Sequence, residues 1–199
     1  MLNFEMKNNE GEGDCFYYAV VDAVRNLAKI NGEFKNHLLE IGMIDLLGKT
    51  MRNQIGDRLV TKLKEHLKNS IIPSLFNTPH IISLMGAGLK EKFGRNPRMA
   101  CNFIKNVIDD KTQWGFESNE PSCYIIFMLL KTNVFLYEEL SDSESNWYIT
   151  SYFIKDGTSF RSSIDGRINE EEIQGLYESS INIFFGTNHY MALIPKSIP

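Results

Sequence analysis

Positive charge is in short supply in this sequence. Its 21 Lys and Arg stand against 25 Asp and Glu, a formal net charge of −4. A nucleic-acid binder usually carries a basic face, so that class of partner is not expected. Cysteine is scarcer still, with three in the chain, an odd number at no metal-ligand spacing. Such usage makes no disulfide framework and suits a reducing compartment. Long apolar runs are missing as well. The longest, Tyr124 to Leu130, is far too short to cross a bilayer. The opening residues, MLNFEMKNNEGEG, hold no apolar stretch of signal-peptide length. No internal repeat and no low-complexity tract interrupts the chain. What is present, 199 residues at 43% hydrophobic content, suffices for one globular domain over 1–199 with a real core. A soluble, monomeric, cytoplasmic domain without a membrane partner is the expectation.

After Cys15 the apolar residues Phe16, Ala19, Val20, Ala23, Val24 and Leu27 recur at helical spacing, and Asn31-Gly32 ends the pattern. From about Phe34 to Ile108 the chain reads as mostly helical. "IDLLGKTMRNQIGDRLVTKLKEHL" carries apolar residues three and four apart, while prolines and glycines from Pro73 to Pro97 cut the next part into short helices. The character then changes. "CYIIFMLLKTNVFLYEE" reads as a short buried helix to Leu130 followed by a strand at Val134 to Glu138, and "WYITSYFIK" as a second strand. "INIFF", "GTN" and "HYMALIP" read as a hairpin with a three-residue loop. Helices first and strands later predict an α+β domain with a small, mostly antiparallel sheet from the C-terminal half.

"GEGDCFYYAV" places Cys15 at the first turn of a predicted helix, where the positive end of the dipole lowers a thiol pKa. Gly11 and Gly13 let the preceding backbone fold tightly and aim N–H groups at a developing oxyanion. Equally, a free cysteine is among the most buried of residues, and Cys15 fits a core thiol. A nucleophile needs a base, and four histidines are available. His37 and His66 lie among charged residues on helical faces and read as solvated; His80 follows a proline in a broken segment. His189 opens a strand directly after a tight turn. On that strand His189, Met191 and Leu193 share one face, and Tyr190, Ala192 and Ile194 the other. Cysteine at a helix start and histidine on a late strand is an arrangement used in thiol catalysis. Spacing alone leaves both readings of Cys15 open.

"EGDCFYYAV" resembles the Asp-Gly-Asn-Cys-Leu-Phe-x-Ala signature around the nucleophile of the ovarian-tumour (OTU) cysteine proteases, which are deubiquitinases. "NHYMALIP" is similar to that family's closing strand, and "WGFESNEPSCYIIFMLLKTNVFLYEE" to its Trp-Gly segment, helix and strand. The three matches come in the family's order and frame nearly the whole chain. There are departures. Where the family often has an aspartate three residues before the cysteine, this sequence has Glu12; two residues after the histidine it has Met191, whose thioether cannot orient an imidazole as a carboxylate does. Phe116 stands where a second glycine is frequent, and the spacing from Cys15 to Trp114 is long.

The resemblance implies a papain-like, OTU-type fold and hydrolysis of the isopeptide bond after the C-terminal Gly-Gly of ubiquitin, with no metal or cofactor. It implies Cys15 as nucleophile, His189 as base and then acid, and Glu12 as the group that orients the ring. Backbone N–H groups of Gly13, Asp14 and Cys15 fall on the oxyanion hole, and Trp114, Gly115 and Tyr190 on the walls of the Gly-Gly channel. Core or rim packing is the plain alternative for Trp114 and Tyr190. Asn188 ranks below Glu12, because neighbours on an extended strand point to opposite faces. Acidic runs at Glu138-Glu139 and Glu170 to Glu172 suit solvated faces better than the basic tail of ubiquitin. The region from about 46 to 97 is expected to be a helical arm gripping ubiquitin, with Leu75, Phe76, Ile81, Ile82, Leu84 and Met85 either on the partner or in the core. Three other readings compete: an inactive ubiquitin-binding pseudoenzyme, another papain-like thiol hydrolase, and a helical interaction module. Frequent Asn, Ile and Lys fit an AT-rich genome, and with it a bacterial effector acting in a host's cytosol.

Overall fold

The apolar spacing after Cys15 does build a single helix. In a computed structural model of the chain, which describes residues 4–9, 13–48, 55–71, 96–109, 123, 125–139, 147–153 and 176–196, helix α1 runs Cys15–Ile30. Its buried face comprises Phe16, Ala19, Val20, Ala23, Val24 and Leu27, the predicted stripe, widened by Cys15, Tyr17, Val21 and Ala28. A stripe that wide belongs to a central helix packed on more than one side. Asn31 closes α1 through its N–H to Leu27 O and opens α2 (Gly32–Glu40), its side chain accepting from the Phe34 N–H at 2.9 Å. The Asn-Gly pair thus ends one helix and caps the next at once.

The expected long helical run after Ile44 is broken. A 3₁₀ turn at Ile44–Leu47 comes first, then α3 at Ile55–His66, passing into a π-turn at Leu67–Ile71. Leu59, Val60, Leu63 and Leu67 are buried, and α3 packs on α1. This stretch of the expected arm therefore belongs to the core. Phe76, Ile82 and the apolar residues around them lie outside the described residues. Helix α4 spans Pro97–Asp109, and a short helix, α5, occupies residues 125–130 as expected, with Ile125, Ile126, Leu129 and Leu130 buried.

Among the described residues five strands make one mixed sheet: β1 (Phe4–Lys7), β2 (Val134–Glu139), β3 (Trp147–Phe153), β4 (Ile181–Gly186) and β5 (His189–Pro195), in spatial order β1-β5-β4-β2-β3. The pairs β1–β5, β4–β5 and β2–β3 are antiparallel, and β2–β4 is parallel. The domain is thus α+β. The expected strands are present, but the sheet is not confined to the C-terminal half, because β1 joins it from the other end of the chain. The hairpin loop is also shorter than predicted. Gly186 stays in the ladder opposite His189, leaving a two-residue turn in which Thr187 and Asn188 both take positive φ, 54° and 60°. That is the backbone of the tightest hairpins, and Asn tolerates it far better than most residues.

The alternation on β5 sorts its side chains as expected. Tyr190 and Ala192 join the core under α1, while Leu193 and Met191 pack on the opposite face with Phe135, Tyr137, Phe184 and Phe4. Three tyrosines in these layers have hydroxyls whose pKa is pushed upward. For Tyr17 the cause is burial, followed by the carboxylates of Asp14 and Asp109; for Tyr137 it is burial. For Tyr190 it is burial, followed by the thiols of Cys123 and Cys15 and the carboxylate of Glu138. A raised pKa in the fold means that the unfolded chain releases its proton first, once pH passes about 10. The contribution of these groups is therefore complete below that pH and is lost as pH rises beyond it. Calorimetry should show the melting temperature falling steeply from about pH 10, each tyrosine contributing up to roughly 1.4 kcal/mol per pH unit. Tyr137→Phe should flatten the fall, and an unchanged slope would remove Tyr137 from the account.

Candidate active site

Two ends of the chain meet at one end of the sheet. Strand β1 pairs with β5 so that Lys7 lies opposite Ala192, which carries Asn8 and Asn9 past residues 189–191. The Asn9 side-chain Nδ2 donates to the Tyr190 carbonyl at 2.9 Å and lies 3.3 Å from the Cys15 carbonyl. One amide group therefore ties the start of α1 to the start of β5. Asn8 does the same for the histidine: its Oδ1 stands 2.9 Å from His189 Nε2.

Cys15 is the first residue of α1 and is buried, with 7% of its surface exposed. Gly13 takes φ 74°, a left-handed conformation that turns the backbone into the helix and that a Cβ would strain. Asp14 is the N-cap residue but makes no side-chain bond to the first turn. Its carboxylate instead pairs with Lys64 Nζ on α3. The leading N–H groups of a helix lack intrahelical acceptors, and they sit at the positive end of the helix dipole. Beside this turn lies a cleft of about 280 Å³ lined by Asp14, Val60, Thr61, Lys64, Glu65, Lys68 and Asp109. Lys68 and Asp109 pair across it at 2.6 Å.

His189 is half-buried at the head of β5, beside the Thr187-Asn188 turn. No hydrogen bond joins its ring to the Cys15 thiol; the link between them runs through Asn8 and Asn9. Asn188 is committed to the turn, and Met191 packs in the apolar layer on the sheet's far face. Tyr190, expected as a channel wall, is 2% exposed, with its ring against Phe16 at 5.2 Å and Phe185 at 4.6 Å. It is a core residue, because the even positions of β5 face α1. Glu12, Trp114 and Gly115 lie outside the described residues. Of the other histidines, His37 and His66 are not simply solvated. His37 Nε2 lies 3.3 Å from the Leu129 carbonyl and its Nδ1 3.9 Å from Glu40, while His66 Nε2 lies 3.4 Å from Asp45. Asn8, Asn9 and Lys64 are the neighbours of the site that the sequence did not suggest. The one signal of the first two, a pair of asparagines after a short polar-apolar alternation, has no meaning until β1 is paired with β5.

Among the described residues, no helix is long and apolar enough to cross a membrane, and no cluster of His, Cys, Asp and Glu has the makings of a metal site. No protein-family model matches the chain, and no curated protein matches it. Among solved structures it is similar to an OTU deubiquitinase from Wolbachia pipientis wMel, with a TM-score of 0.49 and 12% sequence identity over 97% of this chain and 89% of that one.

Proposed function

We propose that this chain is a thiol-dependent deubiquitinase of the OTU type. The observation that carries the reading is the junction of the Cys15 turn with the His189 turn. The two residues of the resemblance, 174 positions apart in sequence by their numbers, belong to segments held together by the side chains of Asn8 and Asn9. The motifs around Cys15 and His189, in the family's order, supply the substrate class.

In this reading the His189 ring takes the Cys15 proton, and the thiolate attacks the carbonyl carbon of the last glycine of ubiquitin. The carbonyl oxygen becomes an oxyanion held by N–H groups of Gly13, Asp14 and Cys15. As the C–N bond breaks, His189 returns the proton to the departing lysine amine and a thioester remains. Water, deprotonated by His189, then attacks the thioester, releasing the ubiquitin carboxylate and the thiol. The missing thiol–imidazole hydrogen bond is compatible with this chemistry, since catalytic contacts in a free enzyme are often long and tighten when substrate binds.

The same missing bond favours a second reading, a pseudoenzyme that binds ubiquitin without cutting it. A ubiquitin probe with a thiol-reactive group at its C-terminus separates the two. Covalent labelling at Cys15, lost in Cys15→Ala, is expected for the enzyme. Reversible binding without labelling supports the pseudoenzyme, and neither labelling nor binding removes ubiquitin as the substrate.

A further inference from the structure

We infer that Asn8 is the positioning residue for His189, fixing which ring nitrogen carries the proton; the inference rests on the reading of His189 as the base. The geometry begins with the orientation of the Asn8 amide. Oxygen and nitrogen of such a group are easily exchanged, but here one bond decides between them. The backbone N–H of Asn9 donates to Asn8 Oδ1 at 2.9 Å, and an N–H donor admits only the oxygen at that place. The same Oδ1 faces His189 Nε2 at 2.9 Å. A carbonyl oxygen only accepts, so Nε2 must hold a hydrogen. In the neutral ring the lone pair is then on Nδ1, and Nδ1 is the atom that takes the thiol proton.

The bond also survives the reaction. When Nδ1 is protonated both nitrogens are donors, and Asn8 Oδ1 goes on accepting from Nε2 while the ring carries its charge. Charge-assisted hydrogen bonds are stronger than neutral ones, so the amide favours the ion pair more than the resting state. Asn8 is itself set by the β1–β5 ladder, in which the pairing of Lys7 with Ala192 brings residue 8 alongside the strand that His189 begins. Met191 takes no part in this, since its side chain packs in the apolar layer with Phe135 and Phe184.

The test uses the full chain labelled with ¹⁵N-histidine. In the wild type, ring nitrogen shifts should show His189 protonated on Nε2 in its neutral form. Asn8→Ala should mix the two tautomers at His189 and leave those of His37 and His66 unchanged. On a ubiquitin substrate Asn8→Ala should lower kcat about ten- to a hundredfold, the scale of a misplaced acid–base group, with KM within about twofold. Asn8→Asp, whose carboxylate accepts the same two bonds, should recover activity to within about threefold of wild type. A wild-type His189 protonated on Nδ1 overturns the inference whether or not the alanine variant folds. So does an Asn8→Ala protein with an unaltered tautomer, whatever its rate. Should the wild-type chain leave every ubiquitin substrate intact, the functional reading falls alone. The tautomer comparison still decides the role of Asn8.

Discussion

Cys15→Ala should reduce hydrolysis of ubiquitin chains below detection, at least a thousandfold, while the protein melts within a few degrees of wild type. The rate follows from chemistry: in nucleophilic catalysis the covalent intermediate is the pathway, and a methyl group has no lone pair with which to form one. The unchanged stability follows from the site. Cys15 is the first residue of α1, where alanine is the best helix former, and the loss is one buried sulfur at the margin of a large core. His189→Ala should match it in rate, since both proton transfers need the imidazole. Far-UV circular dichroism serves as the fold control in both. Activity in Cys15→Ala within tenfold of wild type would sink the assignment of the nucleophile and leave Cys15 as a core thiol.

Much of the frame that holds these residues was legible in the sequence, because the elements concerned bury a face and show it as a period. The stripe from Phe16 to Leu27 gave α1 to its first residue, and "HYMALIP" gave β5 to both ends. Elements with little burial left no such trace. In β1 only Phe4 is even partly buried, so "FEMK" reads as an exposed tail. Its pairing with β5 spans nearly the whole chain, and that pairing delivers Asn8 to His189. The parallel pairing of β2 with β4 is likewise invisible locally, because no pattern within either strand records which distant strand lies beside it. The wall role expected for Tyr190 failed to account for the strand's other face. A tyrosine two residues before a buried alanine on a central strand is carried into the core with it. Asn8, the proposed positioning amide, lies 181 positions from His189 in sequence and 2.9 Å from it in space, a nearness that no local pattern records.

Lys64→Met should be strongly destabilising although Lys64 lies outside the apolar core. Asp14 and Lys64 form an ion pair with side chains only 9% and 11% exposed, and the ammonium also lies 4.8 Å from the centre of the Tyr17 ring. The carboxylate is fixed in place because Asp14 stands between the left-handed Gly13 and the first residue of α1. Removing the cation takes the Lys64 ion pair away from a buried carboxylate and leaves its desolvation less fully offset. Breaking such a pair typically costs about 3 kcal/mol or more. For a chain of this size that is a fall in melting temperature of roughly 6–12 °C. The pair should nonetheless be dispensable as a whole, because two charges taken from water recover their desolvation only in part. Asp14→Asn combined with Lys64→Met should therefore regain most of the lost stability, a coupling that calorimetry on the two single variants and the double reads directly. The functional consequence lies in the turn. Asp14 contributes a backbone N–H to the proposed oxyanion hole, and α3 holds that residue through Lys64. Lys64→Met assayed well below its melting temperature should lose kcat as well, and the double variant should not recover it fully. A melting temperature within 1 °C of wild type for Lys64→Met would show instead that α3 does not anchor the Cys15 turn.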